Sequence, residues 1–129
     1  MPYFLDTHVL LWMRQNDPRL SRARWEPIFH DPINTIYFSI VSLWEIAIKR
    51  SLGKLKLEGS LEDFARTLVT VHEFQMAPIE VTHLSRVEKL PPHHRDPFDR
   101  ILIAQAIELG ATAITDDPHW KRYGLKIQW

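Results

Sequence analysis

Short apolar runs alternate along this chain with longer segments whose apolar residues recur at helical spacing. The predicted strands are residues 3–5, 36–38, 74–79, 113–115 and 125–127. The predicted helices are residues 9–13, 40–50, 61–71, 81–90 and 97–109, with a helical turn at 117–123. Short buried strands that alternate with helices form βαβ units, which build a parallel sheet covered on both faces. The sequence therefore predicts a single α/β domain over residues 1–129.

The composition excludes several kinds of site. Hydrophobic residues make up 45% of the chain and charged residues 25%, which is ordinary for a globular protein. No apolar run reaches the roughly 18 residues of a membrane span, and Asp6 comes too early for a signal peptide, so we expect a cytoplasmic protein without membrane contact. Because cysteine is absent, a disulfide, a thiolate zinc site and a cysteine nucleophile are all excluded.

The net charge gives no indication of a nucleic-acid partner. Sixteen basic residues balance sixteen acidic ones, whereas nucleic-acid-binding proteins are often strongly basic. Any contact with RNA would therefore be local. Two groups of basic residues are candidates, although solvated surface is the better explanation of any single one: Arg14, Arg19, Arg22 and Arg24, and Lys49, Arg50, Lys54 and Lys56.

Four acidic residues stand where a parallel sheet would gather them. Asp6 ends the first predicted strand, and Asp117 follows the strand at 113–115. Glu45 lies in the helix after the second strand, and Asp99 lies in the first turn of the long helix. The functional crevice of an open α/β sheet lies outside the carboxyl ends of its strands. We therefore expect these side chains to face one crevice.

Helix capping is a competing explanation for several acids. Asp6 and Asp117 each precede a helical segment, and Asp is a favoured N-cap residue. Asp96 followed by Pro97 has the pattern of an N-cap with proline at the first helical position. Asp99 would then lie at the third position, where a negative charge suits the helix dipole.

Glu45 is harder to explain by structure alone. It is the only charged residue between positions 40 and 48, in a helix that is apolar nearly all round and is therefore predicted to be buried. A buried carboxylate is costly unless it is paired or binds a metal ion. Lys49, four residues further on, is the alternative partner.

Clustered carboxylates repel one another, and a divalent cation relieves that repulsion. Oxygen ligands alone suit Mg²⁺ or Mn²⁺ better than zinc. Two such ions can activate a water molecule and stabilise the leaving oxygen of an in-line phosphodiester displacement. This chemistry requires no nucleophilic side chain. The residues themselves thus predict metal chemistry on a phosphate.

Four segments of the chain resemble, in the same order, the motifs of PIN domains in VapC-like toxins. They are residues 5–12 (LDTHVLLW), 42–49 (SLWEIAIK), 96–100 (DPFDR) with 103–106 (IAQA), and 115–117 (TDD) followed by Trp120. Each segment alone is weak, but together they span nearly the whole chain. The resemblance implies a three-layer αβα fold and an endoribonuclease that depends on Mg²⁺ or Mn²⁺.

The resemblance also assigns roles to individual residues. It implies that the catalytic metal ligands are Asp6, Glu45, Asp99 and Asp117, with Asp96 and Asp116 as second choices. Asp116 and Asp117 compete for the last position. Three further residues receive supporting roles: Thr7 would steady Asp6, Thr115 would support Asp117, and Arg100 would hold a substrate phosphate. Thr7 as a first-turn helix residue and Arg100 as solvated surface are the alternatives.

The resemblance implies partners as well. Toxins of this family pair with themselves and with a small VapB-like antitoxin whose tail covers the active site, and their substrates are structured RNAs such as tRNA, ribosomal RNA or messenger RNA. Trp12, Trp25 and Trp44 would support a homodimer, although core packing is the better explanation of most such residues.

Other functions fit the residues less well. A phosphotransferase of the haloacid-dehalogenase kind would have a second Asp where this chain has His8, and none of the four glycines forms a phosphate-binding loop. His93 and His94 beside Asp96 suggest a weaker zinc or iron site. The main alternative is a PIN-like module that has lost catalysis and only binds RNA or a protein.

Overall fold

The computed structural model describes all residues from 1 to 129. Five strands form one sheet in the order β3-β2-β1-β4-β5, and every pair is parallel. The strands are β1 (Pro2–Leu5), β2 (Thr35–Ser39), β3 (Gln75–Ala77), β4 (Thr112–Ile114) and β5 (Ile127–Gln128). The helices are α1 (Thr7–Gln15), α2 (Arg22–Phe29), α3 (Ile40–Ser51), α4 (Leu61–Thr70), α5 (Val81–Lys89) and α6 (Pro97–Leu109), with a 3₁₀ helix at Pro118–Tyr123.

Side chains of the strands alternate between two apolar clusters, one on each face of the sheet. On β1, Tyr3 and Leu5 enter one cluster while Phe4 enters the other. On β4, Ile114 and Ala113 divide in the same way. Residues of α1, α2, α3 and α4 complete the first cluster, and residues of α6 and the 3₁₀ helix complete most of the second. This arrangement confirms the three-layer αβα fold with a short central parallel sheet.

Helix α2 was not predicted from the sequence. It is short, it contains Pro27, and only Trp25 and Phe29 on it are buried. Proline removes one backbone hydrogen bond, and two buried residues give little helical periodicity. The other elements lie within about two residues of their predicted bounds. None of the helices is both long enough and apolar enough to cross a lipid bilayer.

The tryptophans that suggested self-association are placed differently. Trp12 and Trp25 are buried in the first cluster, so core packing accounts for both. Trp44 is 52% exposed, and its ring meets that of Phe98 edge to face at 5.0 Å. Of the three, only Trp44 presents a large apolar surface to a partner.

Strand register places the carboxyl ends of β1 and β4 side by side. Leu5 pairs with Ile114, and the Asp6 amide donates to the Ile114 carbonyl at 3.1 Å. The residues after these two strands, Asp6 and Thr115, are therefore neighbours although 109 positions separate them. On the other side of β1, β2 ends at Ser39 and α3 begins at the next residue. The Ser39 hydroxyl accepts from the Val41 amide and caps that helix.

Candidate active site

Asp6 lies at the centre of the sheet edge and is almost fully buried. Its Oδ2 accepts a hydrogen bond from the Thr115 hydroxyl at 2.7 Å. Its Oδ1 is buried and has no hydrogen-bond partner. Asp6 occupies the N-cap position of α1, yet its side chain makes no capping hydrogen bond. Capping therefore does not explain this carboxylate.

Glu45 points inward from α3 and is also buried. The Lys49 ammonium donates to its Oε2 at 2.6 Å, so the pairing proposed from the i, i+4 spacing is present. Burial lowers the pKa of Lys49, but its hydrogen bond to Glu45 and the charges of Glu45, Asp96 and Asp99 together raise it above the ordinary value. Lys49 thus lies in the field of several acids and balances part of their charge.

Asp99 lies in the first turn of α6 among the other acids. Burial, together with the negative charges of Asp6, Asp96, Glu45 and Asp117, raises the pKa of Asp99 to about 8. These four charges act on Asp99 because the fold brings the five carboxyl groups into one region. At neutral pH the metal-free protein therefore holds Asp99 mainly as the neutral acid.

Asp117 begins the 3₁₀ helix and is fixed by three donors. Its Oδ1 accepts from the amide and the Nδ1 atom of His119, each at 2.9 Å, and its Oδ2 lies 2.9 Å from His94 Nε2. Burial raises the pKa of Asp117, but the donors from His119 and His94 outweigh it and lower that pKa below the ordinary value. Asp117 is therefore the N-cap of the 3₁₀ helix and also one of the clustered acids. We call this cluster the acidic group; its members are Asp6, Glu45, Asp96, Asp99 and Asp117. Asp116 beside Asp117 is exposed.

His94 connects two of the acids. Its Nε2 lies 2.9 Å from Asp117 Oδ2 and 3.2 Å from Asp99 Oδ2. Candidate ligand atoms of His94, Asp117 and His119 all lie within 4.8 Å of one another. The sequence indicated His94 only through a weak zinc hypothesis that paired it with His93. His93 instead packs against the Tyr123 ring at 5.1 Å.

Another histidine borders the site next to Asp6. His8 Nδ1 lies 3.9 Å from Asp6 Oδ2, and this side chain is 54% exposed. The interaction with Asp6 is the largest cause that raises the pKa of His8, and burial opposes it. His8 therefore places an imidazole ring at the rim of the acidic region.

The supporting residues are arranged differently from the expectation. Thr7 pairs its hydroxyl with that of Ser42 at 2.8 Å, which corrects the prediction that Thr7 steadies Asp6. Thr115 takes that part: its hydroxyl donates to Asp6 and accepts from the Asp117 amide at 3.0 Å. The predicted support of Asp117 by Thr115 therefore acts on the Asp117 backbone.

Asp96 and Arg100 have structural contacts. Asp96 Oδ1 accepts from the Phe98 amide at 2.9 Å, as expected of the N-cap of α6. Arg100 donates to the carbonyls of Val87, Leu90, Pro91 and His94 and to the Tyr123 hydroxyl. These donors hold the segment between α5 and α6, which favours a structural role for Arg100 over the predicted phosphate contact.

The acidic group fits a divalent cation. The buried Asp6 Oδ1 has no donor, and a buried carboxylate oxygen without a partner is unfavourable. The raised pKa of Asp99 likewise reflects unrelieved repulsion between neighbouring carboxylates. A hard cation with oxygen ligands would relieve both, and carboxylates are the ligands that Mg²⁺ and Mn²⁺ prefer.

Comparison with known proteins gives the family. The family model of the PIN domain matches residues 3–126. The fold is similar to VapBC2 from Rickettsia felis bound to a DNA fragment from their promoter, with 18% identity, TM-score 0.74, and coverage of 99% of this chain and 98% of that chain. It is also similar to VapBC-1 from nontypeable Haemophilus influenzae, with 18% identity, TM-score 0.67, and coverage of 99% and 97%.

DNA-bound VapBC from Salmonella typhimurium is a third structure with this fold, at 15% identity, TM-score 0.68, and coverage of 99% of this chain and 97% of that chain. A comparison with curated protein sequences gave no match. The structural likenesses, at such low identity, concern the fold, while the family model covers nearly the whole sequence and all four acidic segments. The chain therefore belongs to the PIN-domain family.

Proposed function

We propose that this protein is a metal-dependent endoribonuclease that hydrolyses RNA phosphodiester bonds, and that it is the VapC-like toxin of a type II toxin–antitoxin pair. The observation that carries the proposal is the unpaired, buried Asp6 Oδ1 within a group of acids whose repulsion raises the pKa of Asp99 to about 8. Such an arrangement is unfavourable in the absence of a cation and is suited to binding one.

Asp6, Glu45, Asp99 and Asp117 would hold Mg²⁺ or Mn²⁺. When bound, the ion supplies positive charge that activates a water molecule and stabilises charge on the phosphate. The chain's own residues prepare this site in advance. Thr115, the residue after β4, fixes Asp6, and Lys49 balances Glu45 on α3. His119 and His94 fix both oxygens of Asp117.

Asp99 is the residue whose protonation state must change. Its carboxyl group is mainly neutral at pH 7 in the metal-free protein, because its pKa is about 8. Binding a cation favours the ionised form, so Asp99 would release a proton as the site is loaded. No side chain is needed as a nucleophile, in keeping with a chain that has no cysteine.

The proposed partners follow from the fold. Three similar structures are named as VapBC assemblies, which supports a VapB-like antitoxin as the protein partner of this chain. We propose tRNA, ribosomal RNA or messenger RNA as the substrate class, a homodimer as the assembly and the cytoplasm as the location. The exposed Trp44 offers a large apolar surface for a contact between copies.

Cleavage of mixed cellular RNA by the purified protein tests the proposal. The reaction is run with Mg²⁺, with Mn²⁺ and with a chelator, and the RNA ends are mapped by sequencing. We expect cutting in the presence of either ion and none with the chelator. Cutting that persists in excess chelator would refute metal dependence, and binding without cutting in any condition would favour an inactive binding module.

Substitutions at the adjacent acids test which one serves the site. Asp117→Asn is expected to lower the cleavage rate by about a hundredfold, because the negative charge at the site is lost. Asn caps helices about as well as Asp, so the 3₁₀ helix is expected to persist. Asp116→Asn, the matched control, removes an exposed charge and is expected to leave the rate within about twofold. The reverse ranking would assign the site to Asp116.

A further inference from the structure

We propose that His94 is a positioning residue whose Nε2–H group donates to Asp117 and lies against Asp99, and that it fixes these two carboxyl groups relative to each other. This inference rests on the proposed function, because it concerns the same acidic site. The segment between α5 and α6, which carries His94, would therefore help to shape that site.

The hydrogen bond at Nδ1 determines the tautomer of His94. The Asp96 backbone amide donates to His94 Nδ1 at 3.1 Å. A backbone amide can only donate, so Nδ1 is the acceptor and carries no proton. An imidazole without a proton at Nδ1 is neutral and has its proton at Nε2. The contact of Nε2 with Asp117 Oδ2 at 2.9 Å is therefore a hydrogen bond that the ring donates, and Asp99 Oδ2 lies 3.2 Å from the same nitrogen.

The same tautomer excludes His94 from direct metal binding in this arrangement. A protonated Nε2 has no lone pair for a cation, although it lies close to Asp117 and His119. An N–H group that donates to one acid and lies 3.2 Å from the other holds the two carboxyl groups close together. Substitution of a residue that orients a metal ligand through a hydrogen bond typically lowers metal affinity by about 10- to 100-fold.

The backbone of His94 is itself held in place. Its amide donates to the Tyr123 hydroxyl at 2.8 Å, and its carbonyl accepts from Arg100 Nη1 at 3.4 Å. The Tyr123 hydroxyl in turn donates to the Pro91 carbonyl at 2.8 Å. Arg100 also binds the carbonyls of Val87 and Leu90 at the end of α5, at 3.0 and 3.1 Å. The ring is therefore presented by a segment fixed to α5, to α6 and to the 3₁₀ helix.

Ring nitrogen spectra of the metal-free, unsubstituted protein provide the first test. Long-range ¹H–¹⁵N NMR distinguishes the two neutral tautomers from the doubly protonated ring. We expect His94 to be neutral with the proton at Nε2, and to keep that proton when Mg²⁺ is added. A proton at Nδ1, or coordination of the ring nitrogen by the added ion, would overturn the proposal. This measurement requires no variant and no RNA.

Metal affinity of three variants provides the second test. His94→Ala is expected to weaken Mg²⁺ and Mn²⁺ binding in calorimetry by about 10- to 100-fold. His94→Gln retains an N–H donor at a similar reach and is expected to recover most of the affinity. His93→Ala is the matched control, because the neighbouring ring packs on Tyr123 and lies outside the acidic group. We expect its affinity to stay within about twofold of the unsubstituted protein.

The outcomes separate this inference from the proposed function. His94→Ala with unchanged metal affinity would refute the positioning role even if the protein cleaves RNA. Loss of affinity in His94→Ala, with recovery in His94→Gln, would support it even if no RNA is cut and the nuclease proposal fails. Thermal unfolding of each variant identifies any loss of metal affinity that comes from misfolding. If His94→Ala and His94→Gln are equally stable, recovery of metal affinity in His94→Gln supports the positioning role.

Discussion

Asp6→Asn is expected to abolish RNA cleavage, with a fall in kcat of roughly a thousandfold or more at saturating Mg²⁺. The substitution removes the negative charge at the centre of the acidic group but keeps the shape of the side chain. The amide oxygen of Asn can still accept from the Thr115 hydroxyl that now binds Asp6 Oδ2. The buried Oδ1, which has no partner, is the atom whose charge is lost. Initial rates of cleavage at a saturating concentration of a mapped RNA substrate measure kcat.

Stability distinguishes this loss from misfolding. Asp6 is one of the charges that raise the pKa of Asp99, so its neutralisation relieves repulsion in the metal-free protein. Asp6→Asn is therefore expected to unfold at a higher temperature than the unsubstituted chain in the presence of chelator, while its activity falls. Asp31→Asn is the control, because Asp31 lies in an exposed turn before β2, where its Oδ1 accepts from the Ile33 amide at 3.0 Å. Cleavage by Asp6→Asn at close to the full rate would contradict our assignment of the site.

The convergence of the acids was predictable because it follows from the sheet. Apolar runs that end in an acid place that acid at the carboxyl edge of a parallel sheet, and parallel strands share that edge. The register of Leu5 with Ile114 then brings the residues after both strands together. Alternation of Tyr3, Phe4 and Leu5 between two clusters likewise follows from a strand buried on both faces.

The identity of the supporting hydroxyl could not be predicted from spacing. Thr7 follows Asp6 directly in the sequence, whereas Thr115 is 109 positions away from Asp6. Thr115 has acids of its own beside it, since Asp116 and Asp117 follow it. The choice depends on which strand pairs with β1, and that order is a property of the whole sheet. The first turn of α1 directs Thr7 towards Ser42 on α3 instead.

The placement of His94 depends on contacts that leave no periodic pattern. The segment between α5 and α6 is irregular, and its path is set by Arg100 and Tyr123, which bind backbone carbonyls and the His94 amide. Backbone groups have no sequence signature, so hydrogen bonds to them cannot be read from the chain. The adjacent prolines and histidines indicated only a loop with metal-binding residue types.

The second large effect concerns pH and the metal. In chelator, the free energy of unfolding is expected to fall as the pH rises from about 4 to about 8. Asp99 has an ordinary pKa near 3.8 when unfolded and about 8 when folded. The folded state favours the neutral form of Asp99. The contribution of Asp99 to the free energy of unfolding is therefore fully present below pH 3.8 and is lost as the pH rises through about 8. The loss is at most about 6 kcal/mol, measured by urea unfolding across this pH range.

Mg²⁺ is expected to reverse this trend, because a bound cation stabilises the ionised form of Asp99. The affinity for Mg²⁺ should rise with pH until about pH 8. Below that pH, Mg²⁺ binding should release a proton. Calorimetry in buffers of different ionisation enthalpy detects this release. Asp99→Asn should abolish the proton release and flatten the fall in metal-free stability, whereas Asp31→Asn should preserve both. Equal proton release by Asp99→Asn and the unsubstituted chain would show that another group carries the shifted pKa. Because repulsion among the same carboxyl groups destabilises the metal-free protein and is relieved by the cation, the cost of assembling the acids and their affinity for metal have a common origin.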